Sequence, residues 1–127
     1  MKNNMKNSNL KYYNLDQNNS GGYYIRCADS NNEVDAFISI QAPNVKIAKM
    51  IAERILESYR EYCPCCGERW SDEYLEEDDA TDKPYVLSKP YDEQNDPFWC
   101  KNNKLVIYNY DGSKEIYDLN KNLKGDN

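Results

Sequence analysis

Histidine is absent from the 127 residues. Without imidazole there is no serine–histidine or cysteine–histidine nucleophile pair and no zinc site with nitrogen ligands. No Gly-rich phosphate loop and no nucleophile elbow can be traced. No apolar run approaches the roughly 18 residues of a membrane helix, and Met1 to Ser20 lacks the apolar core of an export signal. Cationic residues are the minority: Lys+Arg is 16 against 22 Asp+Glu, a net charge of -6. That balance opposes contact with a phosphate backbone, so a nucleic-acid partner is not expected. With few routes to acid–base or nucleophilic chemistry, an enzyme is not expected either. The length fits one domain.

Five cysteines are present: Cys27, Cys63, Cys65, Cys66 and Cys100. An odd number without an export signal reads as a thiol set of the reducing cytoplasm, not a disulfide framework. Cys63-Pro64-Cys65-Cys66-Gly67 contains a C-P-x-C-G knuckle. Zinc uses this spacing because two thiolates must approach one ion from a tight turn that proline and glycine permit. A tetrahedral all-thiolate structural site would take Cys27, Cys63, Cys66 and Cys100, with Cys65 as the alternative ligand. The competing reading is a structural turn with thiols packed in the core and Trp70 over them. Thioredoxin-like chemistry is disfavoured, because Cys63 falls at the expected end of a helix, where the dipole raises a thiol pKa.

Residues 1–20 contain seven Asn and three Lys and read as a flexible, mildly basic arm. Residues 21–119 form the expected domain, and 120–127 a polar tail. Tyr23–Ala28 reads as a strand. Val34, Ala36, Ile38 and Ile40 alternate with Asp35, Phe37, Ser39 and Gln41, which predicts a second strand paired with it. Asn44 is placed to cap a helix over 45–62 whose apolar stripe is Ile47, Ile51 and Ile55. Asp111-Gly112 between two β-rich runs predicts a hairpin, with a two-residue turn setting Ile107 opposite Ile116. The expected fold class is therefore α+β: a small antiparallel sheet of two hairpins packed on one long amphipathic helix, with a cysteine turn and an acidic irregular segment. Both faces of the C-terminal hairpin are partly apolar, which makes a homodimer an open expectation.

The acidic segment, 71–97, holds ten carboxylates against Lys83 and Lys89, a local charge of -8. Trp70, Asp72, Glu73, Glu76, Glu77, Asp78, Asp79 and Asp82 are the candidate partner-binding residues. Tryptophan anchors interfaces, and clustered carboxylates could occupy a basic groove in the manner of a nucleic acid. Twelve tyrosines add contact area at low entropic cost. The bland reading is that the acidic surface only confers solubility.

The block CPCCGERW, 63–70, resembles that of a family of small tailed-bacteriophage proteins carrying C-x-C-C-G-x-R-W. Those proteins also have a stretch like Ile38 to Ile51 leading into an amphipathic helix, then an acidic Pro-containing segment and a strand like Leu105 to Tyr110. The resemblance spans roughly residues 22–119, and the block is its one specific motif. It implies a phage protein acting in the bacterial cytoplasm. The resulting expectation is a non-enzymatic interaction protein that inhibits a host protein or counters a host defence. The alternatives are a zinc-stabilised nucleic-acid-binding module or a small enzyme.

Overall fold

A computed structural model describes residues 9–17, 33–59, 62–63 and 67–126. The strands are β1 (Lys11–Asp16), β2 (Phe37–Ala42), β3 (Tyr62–Cys63), β4 (Gly67–Glu68), β5 (Tyr85–Val86), β6 (Lys89–Pro90), β7 (Lys104–Tyr108) and β8 (Lys114–Asp118). The helices are α1 (Val45–Leu56) and the single turn α2 (Pro97–Cys100). Strands β1-β2-β7-β8 form one sheet in that order, while β3-β4 and β5-β6 make two-stranded ribbons.

The main sheet is mixed, which overturns the expected antiparallel sheet of two hairpins. Strand β2 runs antiparallel to β1 but parallel to β7, with Ile38 beside Val106. Parallel neighbours need a long crossover; here it contains α1, the cysteine block and the acidic segment. Strand β1 comes from the stretch expected to be a flexible arm. Lys-Tyr-Tyr-Asn-Leu-Asp alternates, and Tyr13 and Leu15 are buried against the helix side of the sheet. The Asn-rich composition masks this period-two signal. The expected strand at Tyr23–Ala28 lies outside the described residues.

The expected long helix is also corrected. Asn44 does cap it, its Oδ1 accepting the Ile47 N–H at 2.9 Å. But α1 has only 12 residues, and Glu57–Tyr59 continues it as one 3-10 turn. Its innermost residues are Ala48, Ala52 and Leu56; Ile47, Ile51 and Ile55 are half-buried beside them. Small alanines let the backbone approach the sheet, so the bulky isoleucines straddle the contact instead of forming it.

Both sheet faces are covered. Tyr13, Leu15, Ile38, Ile40 and Val106 meet α1 and Trp70 on one side. Phe37, Leu105, Ile107, Val86, Cys100 and Leu119 form the second core layer. Ser39, on the face expected to be wet, is therefore fully buried, its Oγ donating to Asn14 Oδ1 at 2.7 Å. Leu119 and the following 3-10 segment to Asp126 pack on this second layer, so the folded unit extends beyond 21–119 at both ends.

The Asp111-Gly112 hairpin forms, but in a register shifted by one: Ile107 pairs with Glu115 and Val106 with Ile116. Asn109 O accepts the Gly112 N–H, Asn109 N–H donates to Ser113 O, and Gly112 has φ +99°. This is a three-residue loop with a glycine bulge, not a two-residue turn. The extra residue turns Tyr117 to the face of Leu105 and Ile107 and leaves Ile116 beside Val106 on the other.

Candidate functional site: an acidic groove at the sheet edge

The acidic segment is built, not irregular. Residues Asp72–Tyr74 and Glu77–Asp79 form 3-10 turns, and Glu76 and Asp79 cap the second reciprocally. The Glu76 N–H donates to Asp79 Oδ2 at 2.9 Å. Glu77 accepts the Tyr13 hydroxyl at 2.6 Å and the Val45 N–H at 3.0 Å, joining β1 to the start of α1. Asp82 pairs with Lys11 at 2.6 Å. Asp72 is buried, while Glu73, Glu76 and Asp78 are exposed. Much of the negative charge is thus committed to holding the segment against β1 and α1. Composition does not reveal this, because it depends on which N–H and O–H donors folding brings near.

Trp70 is 1% exposed, so it is not a surface anchor for a partner. Its indole Nε1 donates to Tyr59 O at 3.2 Å. Arg69 is buried as well and donates to Gln17 Oε1 at 3.0 Å. Gln17 Nε2 in turn donates to Asp35 O, and Asp35 Oδ1 accepts the Ala36 and Lys104 N–H groups. This buried polar chain fastens the Arg-Trp end of the cysteine block to β1, β2 and β7. No local signal marks Gln17 or Asp35 as its members.

Cys27, Cys65 and Cys66 lie outside the described residues, as does the side chain of Cys63. Cys100 sits in the core layer on the face of the sheet away from α1 and Trp70. Its thiol donates to Gln94 O at 3.2 Å, and burial with nearby Asp96 raises its pKa. Among the described residues, no three His, Cys, Asp or Glu side chains converge as a metal-binding group.

The groove these elements leave lies where the acidic segment bridges the β1 edge. Tyr12 exchanges backbone hydrogen bonds with Thr81 at 2.8 and 2.9 Å, and Gln17 bridges Trp70. Between those clamps a cavity of about 330 Å³ is lined by Asn14, Asp16, Ser71, Tyr74, Leu75, Asp79, Thr81, Tyr85 and Leu87. Because Tyr12 N–H and C=O face Thr81, alternation turns those of Asn14 the same way, into the groove. The Asn14 side chain accepts from Tyr85 N–H and Ser39 and donates to Thr81, which holds the groove walls together. Tyr74 is 72% exposed over it. The Asp16 carboxyl keeps an exposed surface but is crowded enough for desolvation to raise its pKa. Leu87 takes φ +60° at the β5–β6 turn, a conformation that costs a non-glycine residue about 1–2 kcal/mol.

The carboxylates give a testable acid limit. Hydrogen bonds from Tyr13 and Val45 hold Glu77 below its ordinary 4.5, and Lys11 lowers Asp82. A carboxylate lowered on folding contributes stability above its unfolded pKa and loses it as pH falls through the folded value. Asp16 is raised and acts in the opposite direction, favouring the folded state slightly as it protonates. Asp111 is lowered too, by hydrogen bonds from the Ser113 N–H and hydroxyl, so three lowered groups against one give the expected net result: thermal stability falls as pH drops below 4.5, and Glu77→Gln makes that fall shallower. Melting curves of both proteins at stepwise lower pH check this.

The fold and groove define a small domain in which one helix packs on a mixed four-stranded sheet, with an acidic cleft at one sheet edge. The chain belongs to a family described as a domain of unknown function (DUF7296), whose model matches residues 10–125. That match begins beside β1 and runs through the C-terminal 3-10 segment. No curated protein and no solved structure matches the chain. Among the described residues, no helix is long and apolar enough to cross a membrane.

Proposed function

We propose that this protein is a non-enzymatic binding protein whose edge groove takes a basic, extended segment of another protein. The observation that carries the reading is the joint presence of carboxylates, phenols and strand-edge backbone in one cleft. Asp16 and Asp79 supply negative charge, Tyr74 and Tyr85 aromatic surface, Leu75 and Leu87 apolar contact, and Asn14 an outward peptide group. A lysine or arginine side chain lays its stem on the rings and its cation against the carboxylates. An extended backbone completes the site by bonding to the strand edge. Resemblance to bacteriophage proteins supports a bacterial host protein as the partner, met in the cytoplasm, with inhibition of that protein or of a defence system as the consequence. Mimicry of a nucleic acid is less well supported, because Glu77 and Asp82 are engaged within the chain.

The test is fluorescence anisotropy with a short labelled peptide of alternating lysine and valine, against a glutamate–valine control. Binding to the lysine peptide alone is expected. Tyr74→Ala and Asp16→Asn each weaken it about tenfold, the effect of losing one well-placed contact, with the melting temperature unchanged. No binding at low salt, or variants that bind as tightly as the unmodified protein, refutes the reading.

A further inference from the structure

The carboxylates in and around the groove differ in how many of their oxygens are spent within the chain. Both Glu77 oxygens are taken: Oε2 accepts the Tyr13 hydroxyl and Oε1 the Val45 N–H. Asp79 gives Oδ2 to the Glu76 N–H, and Asp82 gives Oδ1 to Lys11. Asp16, at the end of β1, stands apart. Its backbone N–H donates to Ser71 Oγ at 3.4 Å, but no donor and no cation among the described residues reaches its carboxyl. A carboxylate crowded by protein and offered no hydrogen bond in return is costly to keep charged, which is why its pKa is raised.

The surroundings of Asp16 suit one kind of cation. The cavity of about 330 Å³ lies at the small end of the roughly 300–1,000 Å³ of ligand sites, room for a side chain and not for a folded element. Tyr74 lines it while 72% exposed, and among the described residues no aromatic ring or cation contacts the Tyr74 ring. Leu75 and Leu87 line the same space. A lysine ammonium is a strongly hydrated point charge, which gains little from two oxygens held side by side and gives up its water reluctantly. A guanidinium is flat and weakly hydrated. It presents two parallel N–H groups to one carboxylate and stacks on an aromatic face.

We infer that the groove selects arginine over lysine, with Asp16 taking the guanidinium fork through both carboxylate oxygens and Tyr74 lying against its plane. This rests on the reading of the groove as the seat of a basic extended segment, and adds which side chain anchors that segment. Asp79 has one oxygen committed, so it supplies charge without accepting a second fork, and one arginine per segment is read. The apolar stem of that arginine finds Leu75 and Leu87. The fork also supplies the donors that Asp16 lacks within its own chain, so binding relieves the cost of its crowding.

Anisotropy with labelled peptides tests this: alternating arginine and valine, alternating lysine and valine, and the arginine peptide with every guanidinium dimethylated, which keeps the charge and blocks the fork. The arginine peptide is expected to bind about tenfold tighter than the lysine peptide, the worth of one further hydrogen bond to a charged group. Dimethylation is expected to remove most of that advantage, and Asp16→Asn to bind the arginine and lysine peptides equally weakly. Equal affinity of the unmodified protein for arginine and lysine peptides overturns the selection of arginine and leaves the groove reading standing. A preference that dimethylation does not diminish, or that Asp16→Asn retains, overturns the fork at Asp16. Binding of no peptide at low salt overturns the groove reading and this inference together. Should Asp16→Asn disturb the fold, the dimethylated peptide on the unmodified protein decides: a lost advantage supports the fork, and an undiminished one overturns it.

Discussion

Trp70→Ala is expected to destabilise the protein by about 3–5 kcal/mol, the largest effect of any single substitution among the described residues. Trp70 is fully enclosed in the layer between α1 and the sheet, with Tyr13, Leu15, Leu56 and Leu75 in the same cluster. Truncation leaves a cavity the size of an indole and removes the hydrogen bond from its Nε1 to the Tyr59 carbonyl. Domains of this size hold only about 5–15 kcal/mol in total, so a large share of the folded population is at risk. Chemical denaturation checks the magnitude. Trp70→Phe retains most of the apolar volume and is expected to recover about half of the loss. A change below about 1 kcal/mol for Trp70→Ala would mean that the indole is not a core element.

Asp35→Ala is expected to cost about 2–4 kcal/mol, because it strands two backbone donors at once. One carboxylate oxygen accepts Ala36 N–H at 2.9 Å and Lys104 N–H at 2.8 Å. These donors stand at the entries of β2 and β7, the parallel pair at the centre of the sheet. Asp35→Asn keeps an acceptor oxygen in that position and should lose less than half as much. Measuring both by urea denaturation separates hydrogen bonding from charge. Equal losses in the two variants would show that the charge, not the shared acceptor, matters at this position.

These two positions show why a reading of the chain succeeds in some places and fails in others. Asn44 as helix cap and Asp111-Gly112 as hairpin are local: the residues that decide the conformation lie within four positions of each other. The hairpin register is less legible. Glycine fits either a two-residue turn or a bulge, and that choice moves every later side chain to the other face. Strand β1 was hidden by composition, since four of the residues around it are asparagine or glutamine while Tyr13 and Leu15 alone carry the buried period. Trp70, weighed both as a cover over packed thiols and as a partner anchor, lies in the interior, and Arg69 beside it meets Gln17 from 52 positions away. The groove was legible only as an excess of carboxylates; its walls come from three separated stretches of chain.

What the amino-acid order determined by itself is the absence of imidazole chemistry, the negative charge, the helix cap and the site of the last turn. Each of these is a property of residue type or of near neighbours. What only the tertiary structure decided is the parallel union of β2 with β7, the burial of Arg69 and Trp70, and the clamping of the acidic segment onto the β1 edge. Those outcomes join residues tens of positions apart, and the energy that selects them is the burial of apolar surface with every enclosed polar group satisfied. No short stretch of chain encodes that condition, because the partners meet only when the whole domain has folded.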